Sequence, residues 1–366
     1  MNKKIILLYP YYRGISGAYN RYLLLEQLLK RSGFNVKFIL FYDKKFNSNL
    51  SKTLYRLVNF LKVESLIFFY SILKKYYFIT DFNPSIFAIL SKKVLIQIHD
   101  ISWENKIFAR HNSFFYQVFK FFIKNYSNIL TVSKTSMKKI KKVSGRKKVV
   151  YHLYNSVNEN YIKESNKIGK DKFFENGVNT SKMLNKSLPN ILYIATLIPR
   201  KCHFDLLEAL SKTESILNVN LVGLPIDKQI LELIQTKKTS KGNIIKSNIN
   251  YFPKVSQREL CNLLIYSSAY ISTSLNEGFG IPLLEAKLYK VPLIIRDIDI
   301  NRELFPEATF FESPFQLANL LSELKSITKL QIEDRKKIAS NISEDNIIDL
   351  FNYSNLSNQL KDIILN

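Results

Sequence analysis

The sequence predicts an α/β protein built as two doubly wound, Rossmann-like domains facing a central cleft. Three observations carry that reading. Short apolar runs alternate with helix-periodic segments over the first 150 residues; a polar stretch at 158–188 interrupts the pattern; and the alternation restarts near residue 190. With 366 residues, 46% hydrophobic and 23% charged, the chain is long enough for two cores and has an ordinary globular composition.

In the first half, KIILLY reads as a strand and residues 18–31 as a helix, because apolar side chains recur there at helical spacing. NVKFILFY, YYFIT, VLIQIHD, NILTVS and KVVYHLYN read as further strands, most of them running into a polar loop. The opening apolar run covers only residues 5–8, and Pro10 and Arg13 follow at once. It therefore reads as a first buried strand, not a signal peptide. Residues 158–188 are Asn/Lys-rich without sustained period, which marks an interdomain linker. The expected first domain is 1–165 and the second 185–349, with a helix near 350–366 able to return to the first. In the second half NILYIAT, VNLVGL, NINYFP, AYISTS and VPLIIRD read as strands, with helices over 204–210, 256–266 and 282–289. No fixed-period repeat is present, so solenoids are excluded.

The net charge is +24, and its distribution is lopsided. Residues 1–150 hold 28 Lys/Arg against 6 Asp/Glu, a net of +22; the remainder hold 26 against 24, a net of +2. A basic half suits an anionic membrane, an anionic lipid-linked substrate or nucleic acid, and a Lys-rich genomic bias is the bland alternative. Segments 50–77 and 106–128 interleave Lys and Arg with Leu, Phe and Tyr, as interfacial helices do. Apolar faces packed on a sheet explain the same pattern. No run reaches the ~18 uncharged apolar residues needed to span a bilayer. Cys202 and Cys261 make neither a disulfide framework nor a zinc cluster, which points to a reducing compartment.

The most specific segment is AYISTSLNEGFGIPLLEAKLYKVPLII. A strand ends at Ser274, Gly278 and Gly280 make a tight turn, and Pro282 opens a helix where no N–H is needed. Free amides at that helix start suit phosphate or sugar oxygens, with Glu277 and Glu285 on either side of the turn. A plain strand-turn-helix with two solvated glutamates is the alternative. In ILYIATLIPRKCHFDLLEAL, Arg200 and Lys201 stand just before another helix, where two cations can neutralise a diphosphate. An exposed basic turn has the same appearance. Asp297-Ile298-Asp299 spells a metal-binding Asp-X-Asp, but it lies late in the second domain, beyond the glutamate pair.

Taken together, these motifs resemble the family 4 retaining glycosyltransferases of the GT-B fold, along most of the chain. Their hallmark is a glutamate pair around a Gly-Phe-Gly turn, matched by Glu277, Gly278, Phe279, Gly280 and Glu285. The resemblance implies that Glu277 and the turn amides hold donor-sugar hydroxyls, that Glu285 holds the nucleotide ribose, and that Arg200 and Lys201 bind the diphosphate. Ala195 stands at the family's usual glycine, Cys202 at its asparagine, and Lys290 and Ser156 at further glycines, while Asn155 is kept. LVGL with Gly223 and NYFPKVSQREL resemble the nucleobase pocket, with backbone near Lys254 and Val255. Glu303 resembles a glutamate that commonly follows the main motif. GISGAYNRY, with Gly14 and Gly17, resembles the phosphate- and acceptor-facing loop; His99 and Asp100 resemble a His-Asp pair near the acceptor.

By resemblance, then, the catalytic set is Glu277, Arg200, Lys201 and His99, and Thr196 and Ile281 join the donor-binding residues. The implied reaction is hexose transfer with retention at the anomeric carbon, from GDP-mannose or a UDP-hexose, without metal or cofactor. A saccharide or lipid-linked oligosaccharide would accept it in bacterial O-antigen or capsule synthesis. The expected place is the cytoplasm, peripheral on the inner face of the plasma membrane, with no nucleic-acid partner. A sugar-nucleotide epimerase on the same fold and a basic nucleic-acid-binding protein are the alternatives.

Overall fold

Every strand below pairs in parallel, so each needs a crossover back to the starting edge, and helices supply it. The computed structural model describes residues 3–12, 17–42, 49–82, 84–99, 113–145, 149–157, 159–170, 187–343, 347 and 351–365. They divide into two compact units, Met1–Asn158 with Ile348–Asn366, and Glu159–Ile347.

In the first unit the chain runs β1 (Lys4–Tyr12), α1 (Gly17–Arg31), β2 (Asn35–Tyr42) and α2 (Asn49–Ile67). A π-helical turn at Phe68–Leu73 leads to β3 (Tyr77–Asp81), α3 (Ile86–Leu90) and β4 (Val94–Ile98). Then come α4 (Ser113–Asn125), β5 (Asn128–Thr131), α5 (Lys134–Ser144) and β6 (Val149–His152). The strand order is β2-β1-β3-β4-β5-β6. All five residues of β4 are buried, the signature of a parallel strand covered on both faces. Ile6, Phe78, Ile96 and Ile129 of the sheet pack with Val63 and Ile67 of α2 and Ile123 of α4.

The second unit begins earlier than the sequence suggests. Residues 159–170 form α6 (Glu159–Lys170) inside the expected linker and across the expected end of the first domain at 165, and α6 belongs to the second unit. Its sequence, ENYIKESNKIGK, holds few apolar positions, too few to show as a period; Tyr161, Ile162 and Ser165 are buried among its described side chains. The chain continues through β7 (Asn190–Ile194), α7 (His203–Lys212), β8 (Asn218–Val222), α8 (Lys228–Thr236), β9 (Asn248–Phe252) and α9 (Gln257–Tyr266). It then forms β10 (Ala269–Ser272), α10 (Ile281–Leu288), β11 (Leu293–Arg296), α11 (Asp299–Leu304), β12 (Thr309–Phe311), α12 (Pro314–Ser322) and α13 (Lys329–Asn341). The order is β12-β11-β10-β7-β8-β9. The last helix, α14 (Tyr353–Leu365), belongs to the first unit and packs on α1; Tyr353 donates to the Val157 carbonyl there at 2.9 Å.

A ladder of side-chain amides sets the register of β7, β8 and β9. Asn218 Nδ2 donates to Asn190 Oδ1 (2.7 Å) and Asn250 Nδ2 to Asn218 Oδ1 (3.0 Å). The position after β8 must be glycine: a Cβ on Gly223 would stand 2.0 Å from the Ala195 carbonyl oxygen, where only backbone could yield. Gly223→Ala is expected to cost about 3 kcal/mol or more in urea unfolding, while a Cβ at Gly242, which meets nothing within 4 Å, has no such clash.

Candidate active site

In a doubly wound sheet, neighbouring crossovers part to opposite faces where the strand order reverses, leaving a crevice at the carboxyl ends. In the second unit that point lies between β7 and β10. The loops leaving these two strands are the two segments singled out in the sequence.

They are tied to each other by backbone and side chain. The Lys201 carbonyl accepts from Tyr193 Oη (2.6 Å) and Thr273 Oγ1 (2.9 Å). The Leu275 amide donates to the Arg200 carbonyl (3.0 Å), and Arg200 Nη1 donates to the Asn276 carbonyl (2.9 Å). Beneath them lies Arg296 at the end of β11, almost wholly buried. It donates through Nε to the Thr273 carbonyl (2.9 Å) and through Nη1 to the Glu312 carbonyl (3.1 Å), and pairs with Asp205 on α7. Cys202, between the basic pair and α7, has a left-handed backbone (φ 49°). Asparagine tolerates that region better than most residues, which gives a physical reason for the asparagine that the resemblance implies there. Lys290 (φ 52°) is likewise left-handed where glycine is usual.

On this platform Lys201 Nζ forms an ion-paired hydrogen bond with Glu277 Oε1. Their side chains are only 14% and 13% exposed, so water screens the pair weakly. Arg200 and Lys201 precede α7, and Gly280 (φ 87°) turns the chain into α10 with Ile281 and Pro282 in its first turn. Phe279 is buried below that turn. Thr196 is half-buried in the β7 loop; Gly223 follows β8; Lys254 is exposed and Val255 half-buried just beyond β9. All therefore gather at the carboxyl ends of one sheet.

Glu285 differs from Glu277. Its carboxyl is half-buried and has no hydrogen bond or ion pair among the described residues. Burial pushes its pKa from 4.5 up to about 8. The charge of Glu285 also bears on Tyr161 of α6, Tyr270 and Cys261, so these lie close to it. Tyr289 closes the cluster by donating to Cys261 Sγ at 3.2 Å. His203, buried at the start of α7 against the Tyr193 ring (4.9 Å), is pulled down to about 4 by burial and then by Lys201. It stays neutral and leaves the positive charge of the site to Arg200 and Lys201.

The Asp-X-Asp segment is otherwise engaged: both oxygens of Asp297 are held by the Arg302 guanidinium. Among the described residues no group of three His, Cys, Asp or Glu side chains could hold a metal ion.

The first unit has its own reversal between β1 and β3. There His99 Nε2 lies 2.9 Å from Asp81 Oδ1 and 2.9 Å from Gln97 Nε2. Tyr22 Oη donates to the same Asp81 oxygen (3.1 Å). Buried Arg21 donates through Nε to Gln97 Oε1 (3.4 Å) and through its terminal nitrogens to the Leu153 and Tyr154 carbonyls. Gly17 opens α1; Gly14 and Asp100 lie outside the described residues. Asp81, Arg21, Tyr193, Thr273 and Arg296 were missed in the sequence. Only YYFITD, a strand ending in a carboxylate, carried a usable signal.

The architecture is thus that of a two-unit, parallel-sheet α/β protein with a charged site at the reversal point of the second sheet. Residues 180–345, within the second unit, match the family described as Glycosyl transferases group 1. It is 29% identical over 144 residues to the serotype-specific mannosyltransferase WbdA of Escherichia coli, across 37% of this chain and 17% of that one. It is 32% identical over 88 residues to the O-antigen chain mannosyltransferase RfbU of Salmonella typhimurium, across 24% of each. The matched stretches span a quarter or less of either relative. The Anabaena protein Alr3699/HepE, solved with UDP and glucose, shares the fold over 99% of both chains (TM-score 0.66, 15% identity). The fold is that of the GT-B glycosyltransferases.

The stranded carboxyl predicts a stability gain on its removal. Unfolded, Glu285 ionises near 4.5; folded, it keeps its proton until about 8, so stability falls as pH rises through that window. Glu285→Gln should therefore raise the melting temperature of the ligand-free protein at pH 8 by a few degrees. The difference should vanish at pH 4.5.

Proposed function

We propose that the chain is a retaining hexosyltransferase that takes its sugar from GDP-mannose or a UDP-hexose. The observation that carries this is one neutralised and one stranded carboxyl: Glu277 on a loop locked to that of Arg200 and Lys201, and Glu285 on the helix that follows. A ribose diol offers two hydroxyl donors to Glu285, which has acceptor oxygens and no partner. A diphosphate beside Arg200 and Lys201 finds charge and the start of α7, with no metal required. Glu277, held by Lys201, accepts from donor-sugar hydroxyls alongside the Gly278–Gly280 turn.

In the transfer, the bond from the anomeric carbon to the diphosphate oxygen breaks and a bond to the acceptor oxygen forms on the same face. The acceptor proton passes to the departing diphosphate, whose growing charge Arg200 and Lys201 stabilise. In the first unit, His99 with Asp81 orients the acceptor hydroxyl. Likeness to WbdA and RfbU supports a mannosyl donor and a growing surface-polysaccharide acceptor, free or lipid-linked. The basic first half supports work on the inner face of an anionic membrane. Among the described residues no helix is long and apolar enough to cross a membrane.

Lys201→Ala or Glu285→Ala is expected to lower transfer at least 100-fold, the scale of losing one charge-stabilising group, with the fold retained by circular dichroism. Near-normal turnover of either folded variant defeats the assignment. A thermal-shift panel of nucleotide-sugars should give the same stabilisation with and without chelator, and product analysis on donor alone separates transfer from epimerisation. Because the ionised form of Glu285 is the better acceptor, nucleotide affinity should rise about tenfold per pH unit as pH approaches 8, then level off. In Glu285→Gln the slope should disappear.

A further inference from the structure

The carboxyl ends of the first sheet hold His99, Asp81 and Arg21. The opposite rim, where the strands begin, carries lysines interleaved with aromatic rings in one connected cluster. Lys4 Nζ lies 5.7 Å from the centre of the Tyr76 ring, and Tyr76 stacks on Tyr70 at 6.1 Å. Lys37 Nζ donates to the Tyr70 hydroxyl (2.9 Å). Tyr70 meets Phe69 edge-on at 5.1 Å, and Lys74 lies 5.5 Å from Phe69. Tyr77, next in the chain, is flanked by Lys3 (5.1 Å) and Lys93 (5.5 Å), and Lys93 donates to the Lys75 carbonyl (2.8 Å).

No carboxylate pairs with any of these lysines among the described residues. Rings hold them instead, so their charge stays available to a partner. The π-helical turn that presents Phe69 is capped by Lys74, and Lys75 after it is left-handed (φ 55°), a conformation lysine disfavours. Beside the cations, Phe69 and Leu73 of that turn and Leu90 of α3 stand 43%, 56% and 68% exposed. Leu90 lies three residues ahead of Lys93.

We propose that this rim is a docking surface for an anionic phospholipid bilayer. Its lysines meet headgroup phosphates, while Phe69, Leu73 and Leu90 enter the acyl boundary. The surface fits lipid better than polynucleotide: the tyrosine faces already carry lysines, so bases cannot stack there, and exposed leucines serve no phosphate backbone. Phe69, Leu73 and Lys74 fall within segment 50–77, one of the two stretches the sequence pointed to; the fold adds Lys4 of β1, Lys37 of β2 and Leu90 of α3 to it.

One consequence rests on the reading of the first unit as the acceptor holder. His99 follows β4, five residues long, so it stands a strand length, about 17 Å, from the rim. An acceptor reaching it from a docked membrane is the far end of a multi-sugar chain on its lipid, not the sugar next to the lipid phosphate.

Co-sedimentation of the full chain with vesicles of phosphatidylcholine, with or without phosphatidylglycerol, at ~0.15 M salt tests the docking. Sedimentation with the anionic vesicles alone is expected. Binding should fall on the order of 100-fold in the triple variant Lys4→Glu, Lys37→Glu, Lys74→Glu, and less steeply in the matching triple glutamine variant. Leu73→Ser with Leu90→Ser should weaken binding while leaving its salt dependence in place. Thermal stabilisation by UDP or GDP should be unchanged in every variant, which keeps a failure of docking distinct from a failure of the donor-site reading. Wild-type sedimentation by the folded triple glutamate variant, equal binding to neutral vesicles, or duplex-DNA binding that excess anionic vesicles do not displace would overturn the proposal.

Discussion

The candidate donor site depends on one carbonyl. The Lys201 oxygen takes hydrogen bonds from Tyr193 on its own strand and from Thr273 on the neighbouring loop, so one backbone atom joins the two halves of the site. Arg296 then fixes Thr273 from below while pairing with Asp205 of the helix that follows the basic pair. The charged side chains above inherit this rigidity. Lys201 and Glu277 meet without either having to order a flexible loop, an entropy that would otherwise weigh against them.

The two glutamates of the motif show how local surroundings give one functional group two characters. Glu277 has a cation in contact; Glu285, eight positions on, has none among the described residues, and its charge bears on the Tyr161 and Tyr270 phenols and the Cys261 thiol. Burial without a cation makes the ionised carboxyl costly in the empty protein, a cost that the proposed diol would offset. Stability has been given up at a place where a ligand can restore it, a common arrangement at functional sites.

The alternation of apolar runs made the two sheets readable, because parallel strands buried on both faces form dense hydrophobic stretches between polar turns. EGFGIPLLE and the Arg200-Lys201 pair were readable because turn glycines, a helix-opening proline and neighbouring charges are local in sequence. What escaped was non-local or sparse. Arg296 reads as the last polar residue of a strand until Asp205, ninety-one positions earlier, is brought beside it. Asp81 gains meaning only next to His99 and Tyr22. Helix α6 was hidden in an apparent linker because so few of its residues are apolar, and β12, three residues long, is too short for any period. The charge asymmetry was plain from composition, but composition could not say that the lysines meet at a strand edge.

The return of α14 to the first unit bears on how the protein is made. Tyr353 holds Val157 and Gln27 together, and Gln359 Nε2 donates to the His152 carbonyl at the end of β6. Residues that complete the first unit are therefore synthesised only after the whole second unit has been translated. Until then a very basic, aromatic-rich half-protein stands with one flank of α1 uncovered. Its maturation is gated by translation of a distant segment, so an early stop codon beyond residue 347 would leave the second unit entire and injure the first.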